Sequence, residues 1–107
     1  MADRAMARTA RLPTLSPKES LILDLLSGGK PMYGLELVNS SRRKLKRGTV
    51  YVTLGRMEDK GYVESEVEPR RPGAVGLPRR LYRPTALGLR VRDAWLLLRS
   101  KLAWGTR

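Results

Sequence analysis

Neither cysteine nor histidine occurs in the chain. Disulfides, thiolate and imidazole metal sites, and nucleophiles paired with an imidazole are therefore excluded. The lack of thiols fits a reducing, cytoplasmic setting. Long apolar runs are missing too. None approaches the roughly 18–20 residues of a membrane-spanning helix. Residues 1–11 carry Arg4, Arg8 and Arg11 but not the apolar core of a secretory signal. They are expected to form a basic, mobile arm. No sequence repeat is visible. The one glycine-rich stretch, PGAVG, lacks the Lys-Ser/Thr of a nucleotide loop. Without paired carboxylates either, the chain does not read as an enzyme, and no metal or other cofactor is expected.

Acids are scarce. Ten Asp and Glu face 22 Lys and Arg, a formal charge of +12 over 107 residues. Glu58, Asp59, Glu64, Glu66 and Glu68 lie close together, so the remaining chain is more basic still. Such a charge opposes compaction by self-repulsion and implies a polyanionic partner. The length suits one domain with one modest core.

What is present centres on Arg47 to Gly61, RGTVYVTLGRMEDKG. Val50, Leu54 and Met57 fall on one helix face, and Gly61 can end the helix. Val52, Gly55, Arg56 and Asp59 point the other way. Thr49, Thr53 and Lys60 take one flank, Tyr51 and Glu58 the other, and Tyr51 and Lys60 are further candidates for contact with DNA. Thr49, Val52, Thr53 and Arg56 are side chains able to read base edges. Threonine offers a hydroxyl and a methyl, valine packs on a thymine methyl, and arginine forks to guanine. By itself the pattern also fits an ordinary surface helix of mixed charge, so its context decides.

In chain order, Ser16, Pro17 and Glu19 make a capping box and first-turn proline for a helix that Gly28 and Gly29 stop. Leu21, Ile22, Leu25 and Leu26 are its expected buried stripe. Lys30 to Gly34 reads as a turn, and Tyr33 to about Ser41 as a second helix. Tyr33 either packs in the core or gives its hydroxyl to a phosphate. Arg42, Arg43, Lys44, Lys46 and Arg47 then form the run RRKLKR, which leads into the third helix. That helix lacks a capping side chain before Gly48 apart from Thr49. Open N–H groups beside Lys46 and Arg47 suit a phosphate.

Tyr62 to Glu68 alternates as a half-buried strand. Pro69 to Pro78 is a turn-rich loop, and Arg79 to Arg83 a second strand. Arg79 and Arg80 are candidates for phosphate contact, but cross-strand pairing with Glu64 and Glu66 is expected for at least one of them. Arg70 and Arg71, in the loop, are the better phosphate candidates. Thr85 caps a last helix, Ala86 to about Trp104. Leu87, Val91, Ala94, Leu98 and Leu102, with Trp95, form one stripe, and Leu89, Leu96 and Ala103 a second. Two stripes exceed what one small core can cover, so the helix asks for a second copy of itself. At about 1.5 Å per residue it reaches roughly 27 Å, long enough for a two-helix seam.

Three motifs now stand in order: Pro31-Met32-Tyr33-Gly34-Leu35-Glu36-Leu37; Gly48-Thr49-Val50-Tyr51 with Leu54, Arg56-Met57-Glu58 and Gly61-Tyr62-Val63-Glu64; and Arg79-Arg80-Leu81-Tyr82-Arg83-Pro84-Thr85 with Gly88. Together the chain resembles the PadR family of bacterial transcriptional regulators, in its short form with one C-terminal helix. The likeness spans about Leu12 to Leu98. It implies a dimeric winged-helix repressor with the third helix on DNA bases, the wing on the backbone, and the fourth helix as dimerisation element. It also implies, in some relatives, a small aromatic effector near the dimer interface, which Trp95 could line, although packing is the favoured role for that ring. The family often has Ser-Pro where Lys46-Arg47 stand, which points to stronger phosphate contact here. Pro84 is expected to end the second strand early.

The fold expected is mainly α with a small β-hairpin (α+β). Residues 1–11 form the arm, 12–84 a winged helix-turn-helix, and 85–107 the dimerisation helix. The function expected is sequence-specific regulation of transcription, as a homodimer on double-stranded DNA in the bacterial nucleoid. The competing reading is a general basic RNA- or ribosome-associated protein, binding by charge without sequence preference.

Overall fold

The computed structural model describes residues 13–69, 72, 73, 75, 76 and 78–105. Helix α1 runs Pro17–Leu26. Ser16 caps it as its sequence demands: the Glu19 amide donates to Ser16 Oγ at 3.2 Å, and the Ser16 amide to Glu19 Oε1 at 2.8 Å. Its fully buried positions are Ile22, Leu23 and Leu26, whereas Leu21 and Leu25 are only partly covered. The stripe is thus rotated from the expected one, because the rest of the core approaches from the Leu23 side.

A short strand β1, Met32–Tyr33, precedes helix α2, Gly34–Ser40. Helix α3 is Arg47–Asp59, with Val50, Leu54 and Met57 completely buried as the spacing predicts. Strands β2, Val63–Val67, and β3, Arg80–Pro84, form the wing. The sheet has three antiparallel strands in the order β1-β3-β2, with Met32 opposite Tyr82 and Ser65 opposite Tyr82 on the other side. Strand β3 is therefore central, and β1 is an addition to the expected hairpin. Pro84 does not shorten β3. It is the last residue of the strand, opposite Val63 and beyond the reach of β1, where a missing N–H breaks no ladder between two neighbours.

Helix α4, Ala86–Gly105, is capped by Thr85, whose Oγ1 accepts from the Gly88 amide at 2.9 Å. The same hydroxyl donates to the Gly61 carbonyl at 2.5 Å, tying the start of α4 to the end of α3. Val91 is buried in the core. Trp95 packs against the core's edge and gives its Nε1–H to the Pro13 carbonyl at 2.8 Å. Arg92 pairs with Asp24 of α1 at 2.6 Å. These contacts fix one side of α4. Leu96 is 40% exposed, and Leu97 and Leu102 are each 60% exposed.

Candidate nucleic-acid interface

The third helix reaches the surface as its period requires. With Val50, Leu54 and Met57 pinned in the core, the opposite face must be open. Val52 is 56% exposed on that face. Thr49, Val52, Thr53 and Arg56 all line one groove of about 580 Å³. Its far wall is the start of α1, Ser16 to Glu19. The structure thus brings together the four base-reading candidates and adds Lys18, which sequence reasoning missed. No local signal marks Lys18, since the groove joins segments distant in sequence.

The threonines are not equivalent to free hydroxyls. Thr53 Oγ1 donates to the Thr49 carbonyl at 3.2 Å, and Thr49 Oγ1 approaches the Lys46 carbonyl at 3.4 Å. With the hydrogen directed into the helix, each oxygen turns acceptor lone pairs outward beside a methyl. Arg56 has no ion-pair partner among the described residues, Asp59 included.

The cationic run is held by two buried groups. Leu45 is 1% exposed, and Ser41, also buried, donates to the Val38 carbonyl at 2.7 Å while accepting from the Leu45 amide at 2.9 Å. Arg42 and Arg43 take positive φ, 55° and 69°, to make the corner. Arg42, Arg43, Lys44, Lys46 and Arg47 all remain exposed, without ion pairs among the described residues. Lys46 is the N-cap of α3 and no side chain caps the helix, so its first amides stay open. Tyr51, on the flank of α3, is 51% exposed and rests its ring on Gly34.

Other candidates are engaged elsewhere. Lys60 donates to both oxygens of Glu19, at 3.0 and 2.8 Å, and lies 5.5 Å from the Tyr62 ring centre. It is a structural cation at the groove's floor rather than a free phosphate contact, because the Glu19 side chain, only 4% exposed, needs a counter-charge. Burial pushes the Glu19 pKa up, but the bonds from Lys60 and Ser16 outweigh it and hold the carboxyl below its ordinary value. The Tyr33 hydroxyl donates to Glu68 at 2.5 Å, which raises its pKa, and Arg79 pairs with the same Glu68 at 3.2 Å while covering the Tyr33 ring at 4.2 Å. Tyr33 and Arg79 therefore clamp the strand ends from which the wing loop departs. Arg83, not Arg79 or Arg80, pairs with Glu64 and Glu66, since register sets Glu64 opposite Arg83. Arg80 lies on the sheet's other face and donates to Ser65 at 3.1 Å, leaving it without a carboxylate among the described residues. Arg70 and Arg71 lie outside the described residues, as does the arm.

Of the dimerisation candidates, Val91 and Trp95 pack within the chain's own core. Leu87, Ala94 and Leu102 are exposed, and Leu98 is half-buried. The model of the PadR-like transcriptional regulator family matches residues 22–94. The chain belongs to the PadR-like family. A PadR family regulator from Eggerthella lenta DSM 2243 is 30% identical with a TM-score of 0.67, over 81% of this chain and 75% of that one. A PadR family regulator from Clostridium difficile R20291 is 25% identical with a TM-score of 0.65, over 86% of this chain and 100% of that one. A PadR-like transcription factor from Bacteroides fragilis shares the fold at 20% identity, with a TM-score of 0.70 over 99% and 96% of the two chains. No functionally curated protein matches. The PadR-like winged helix thus accounts for the whole described architecture. Among the described residues no helix is long and apolar enough to cross a membrane.

Proposed function

We propose that the protein is a sequence-specific transcriptional repressor that binds double-stranded DNA as a homodimer. One observation carries the reading. The four side chains suited to base edges share a single open groove on α3, and Lys46 and Arg47, at the start of that helix, have no carboxylate partner among the described residues. With α3 in the major groove, Thr49, Val52, Thr53 and Arg56 meet base edges. The RRKLKR turn and Arg80 take phosphates, which fix register without reading sequence. A dimer bound across a promoter blocks it. The general basic-protein alternative needs neither an exposed valine on the reading helix nor a clamped wing.

Selection of duplexes from a random pool tests the proposal. An inverted repeat is the expected product. A featureless pool sinks sequence-specific binding and leaves charge-driven association.

Trp95 borders a cleft of about 220 Å³ with Leu15, Pro17 and Arg99. We place a small aromatic effector there. Saturable quenching of Trp fluorescence by phenolic compounds, retained on Trp104→Phe and abolished by Trp95→Phe, is the expected sign. No quenching across a broad panel leaves Trp95 as packing only.

A further inference from the structure

Gly34 is the first residue of α2, is buried, and has no positive φ. Nothing in its backbone calls for glycine, and alanine is the better helix former. What requires glycine is a close approach. A Cβ at Gly34 would lie 2.5 Å from Tyr51 Cε1, 2.7 Å from Cζ and 2.8 Å from the hydroxyl oxygen. The outer edge of the Tyr51 ring therefore rests in the space a side chain would fill.

Tyr51 is half exposed even so, and no hydrogen bond is made by its hydroxyl among the described residues. The Tyr33 and Tyr62 hydroxyls are, in contrast, committed to Glu68 and to the Thr14 carbonyl. Tyr51 is thus a seated ring with a free donor, one turn past Lys46 and Arg47 on the DNA-facing helix. Phenolic hydroxyls are good donors to phosphate oxygens.

We propose that Gly34 is a positioning residue: by having no side chain it seats the Tyr51 ring against the start of α2, so that the Tyr51 hydroxyl is held out to a phosphate of bound DNA. The assignment rests on the reading that α3 meets DNA. The atoms in conflict belong to the far end of a side chain, which can swing away. Gly34→Ala should therefore keep the fold and displace the hydroxyl.

The test is a double-mutant cycle on the full chain with Gly34→Ala, Tyr51→Phe and both together. Affinity for a mixed-sequence duplex is measured at several salt concentrations, with Tm alongside. Tyr51→Phe keeps the ring and is expected to weaken binding about 10- to 100-fold, the range of one hydrogen bond to a charged group. Gly34→Ala should cost at least as much, and adding Tyr51→Phe to it should cost nothing more. The salt slope should hold in all three, because no charge is lost. Wild-type affinity in Gly34→Ala, or an equal cost of Tyr51→Phe in both backgrounds, overturns the assignment. If Gly34→Ala lowers Tm, adding Tyr51→Ala decides. A Tm equal to that of Tyr51→Ala alone places the clash on the ring and supports the assignment, and a Tm still lowered overturns it. A wild-type chain that binds no duplex even at low salt removes the DNA-binding reading itself, whereas a binding wild type matched by all three variants removes the Tyr51 contact and with it the role of Gly34, but leaves DNA binding standing.

Discussion

Lys60 shows how a residue's chemistry is decided by its neighbour. Its charge answers the buried carboxylate of Glu19, which also closes the cap of α1. Lys60→Met leaves that carboxylate with only the Ser16 groups, and should cost about 1–2 kcal/mol, below the range for a fully buried pair because the lysine side chain is a third exposed. Urea unfolding at neutral pH measures it. A loss under 0.5 kcal/mol, the scale of an ordinary surface change, would show that water replaces the ammonium freely. The pH dependence has a definite sign. The Glu19 pKa is lowered on folding, so its contribution is present above the ordinary glutamate value near 4.5 and is lost as pH falls through the lower folded value. Glu19→Gln should flatten the stability profile in that acidic window. Arg56 is the opposite case, a cation with no acid to hold it among the described residues. Arg56→Ala should remove about 1–3 kcal/mol of discrimination, weakening operator binding far more than binding to scrambled duplex. Lys46→Ala should weaken both equally and lower the salt slope by about one. An unchanged operator-to-scrambled ratio in Arg56→Ala would pass the reading role to Thr49, Val52 and Thr53.

Among the elements, those with strong local signals were legible. The Val50, Leu54, Met57 period placed α3 and its open face, and the Ser16–Glu19 box placed α1. Strand β1 was not legible, because two residues carry no period and their partners, Leu81 and Tyr82, are remote. The same limit hid the groove's second wall, where Lys18 lines the groove that Arg56 also lines. Charge pairing across the wing was readable in kind but not in register. Alternation told that arginines would meet glutamates, but only the ladder shows that Arg83 is opposite Glu64. The joint between wing and α4 rests on another remote contact. A Cβ on Gly88 would lie 2.1 Å from the Tyr62 carbonyl oxygen and 2.9 Å from its carbon. That carbonyl is also fixed by the Thr85 amide at 3.0 Å, so it cannot yield. Gly88→Ala should push α4 off the domain and cost about 1–3 kcal/mol, the usual scale of overpacking. Denaturant unfolding checks it, and an unchanged midpoint would mean that α4 docks more loosely than Val91 and Trp95 imply.

At the scale of the molecule, the question is what covers α4. Its inner side is accounted for by Val91, Trp95 and the Arg92–Asp24 pair. Leu87, at 40% exposure, and Leu97 and Leu102, at 60%, keep apolar surface that the described residues do not cover. A second copy presenting the same helix would bury them through an isologous seam. It would also hold two α3 helices together, so that the second half-site binds at high effective concentration. Leu102 separates assembly from folding better than half-buried Leu98, since at 60% exposure a charge there displaces little packing among the described residues. Leu102→Glu should leave the unfolding midpoint of the single domain nearly unchanged, within about 0.5 kcal/mol. In the seam the same charge would be buried without a partner, at several kcal/mol. Sedimentation should then show wild-type dimer and variant monomer at micromolar concentration. DNA affinity should fall on an inverted repeat but hardly at all on an isolated half-site, because only the linkage is lost. A wild-type chain that sediments as monomer, or a variant equally impaired on both duplexes, would mean that the exposed leucines of α4 do not join two reading helices.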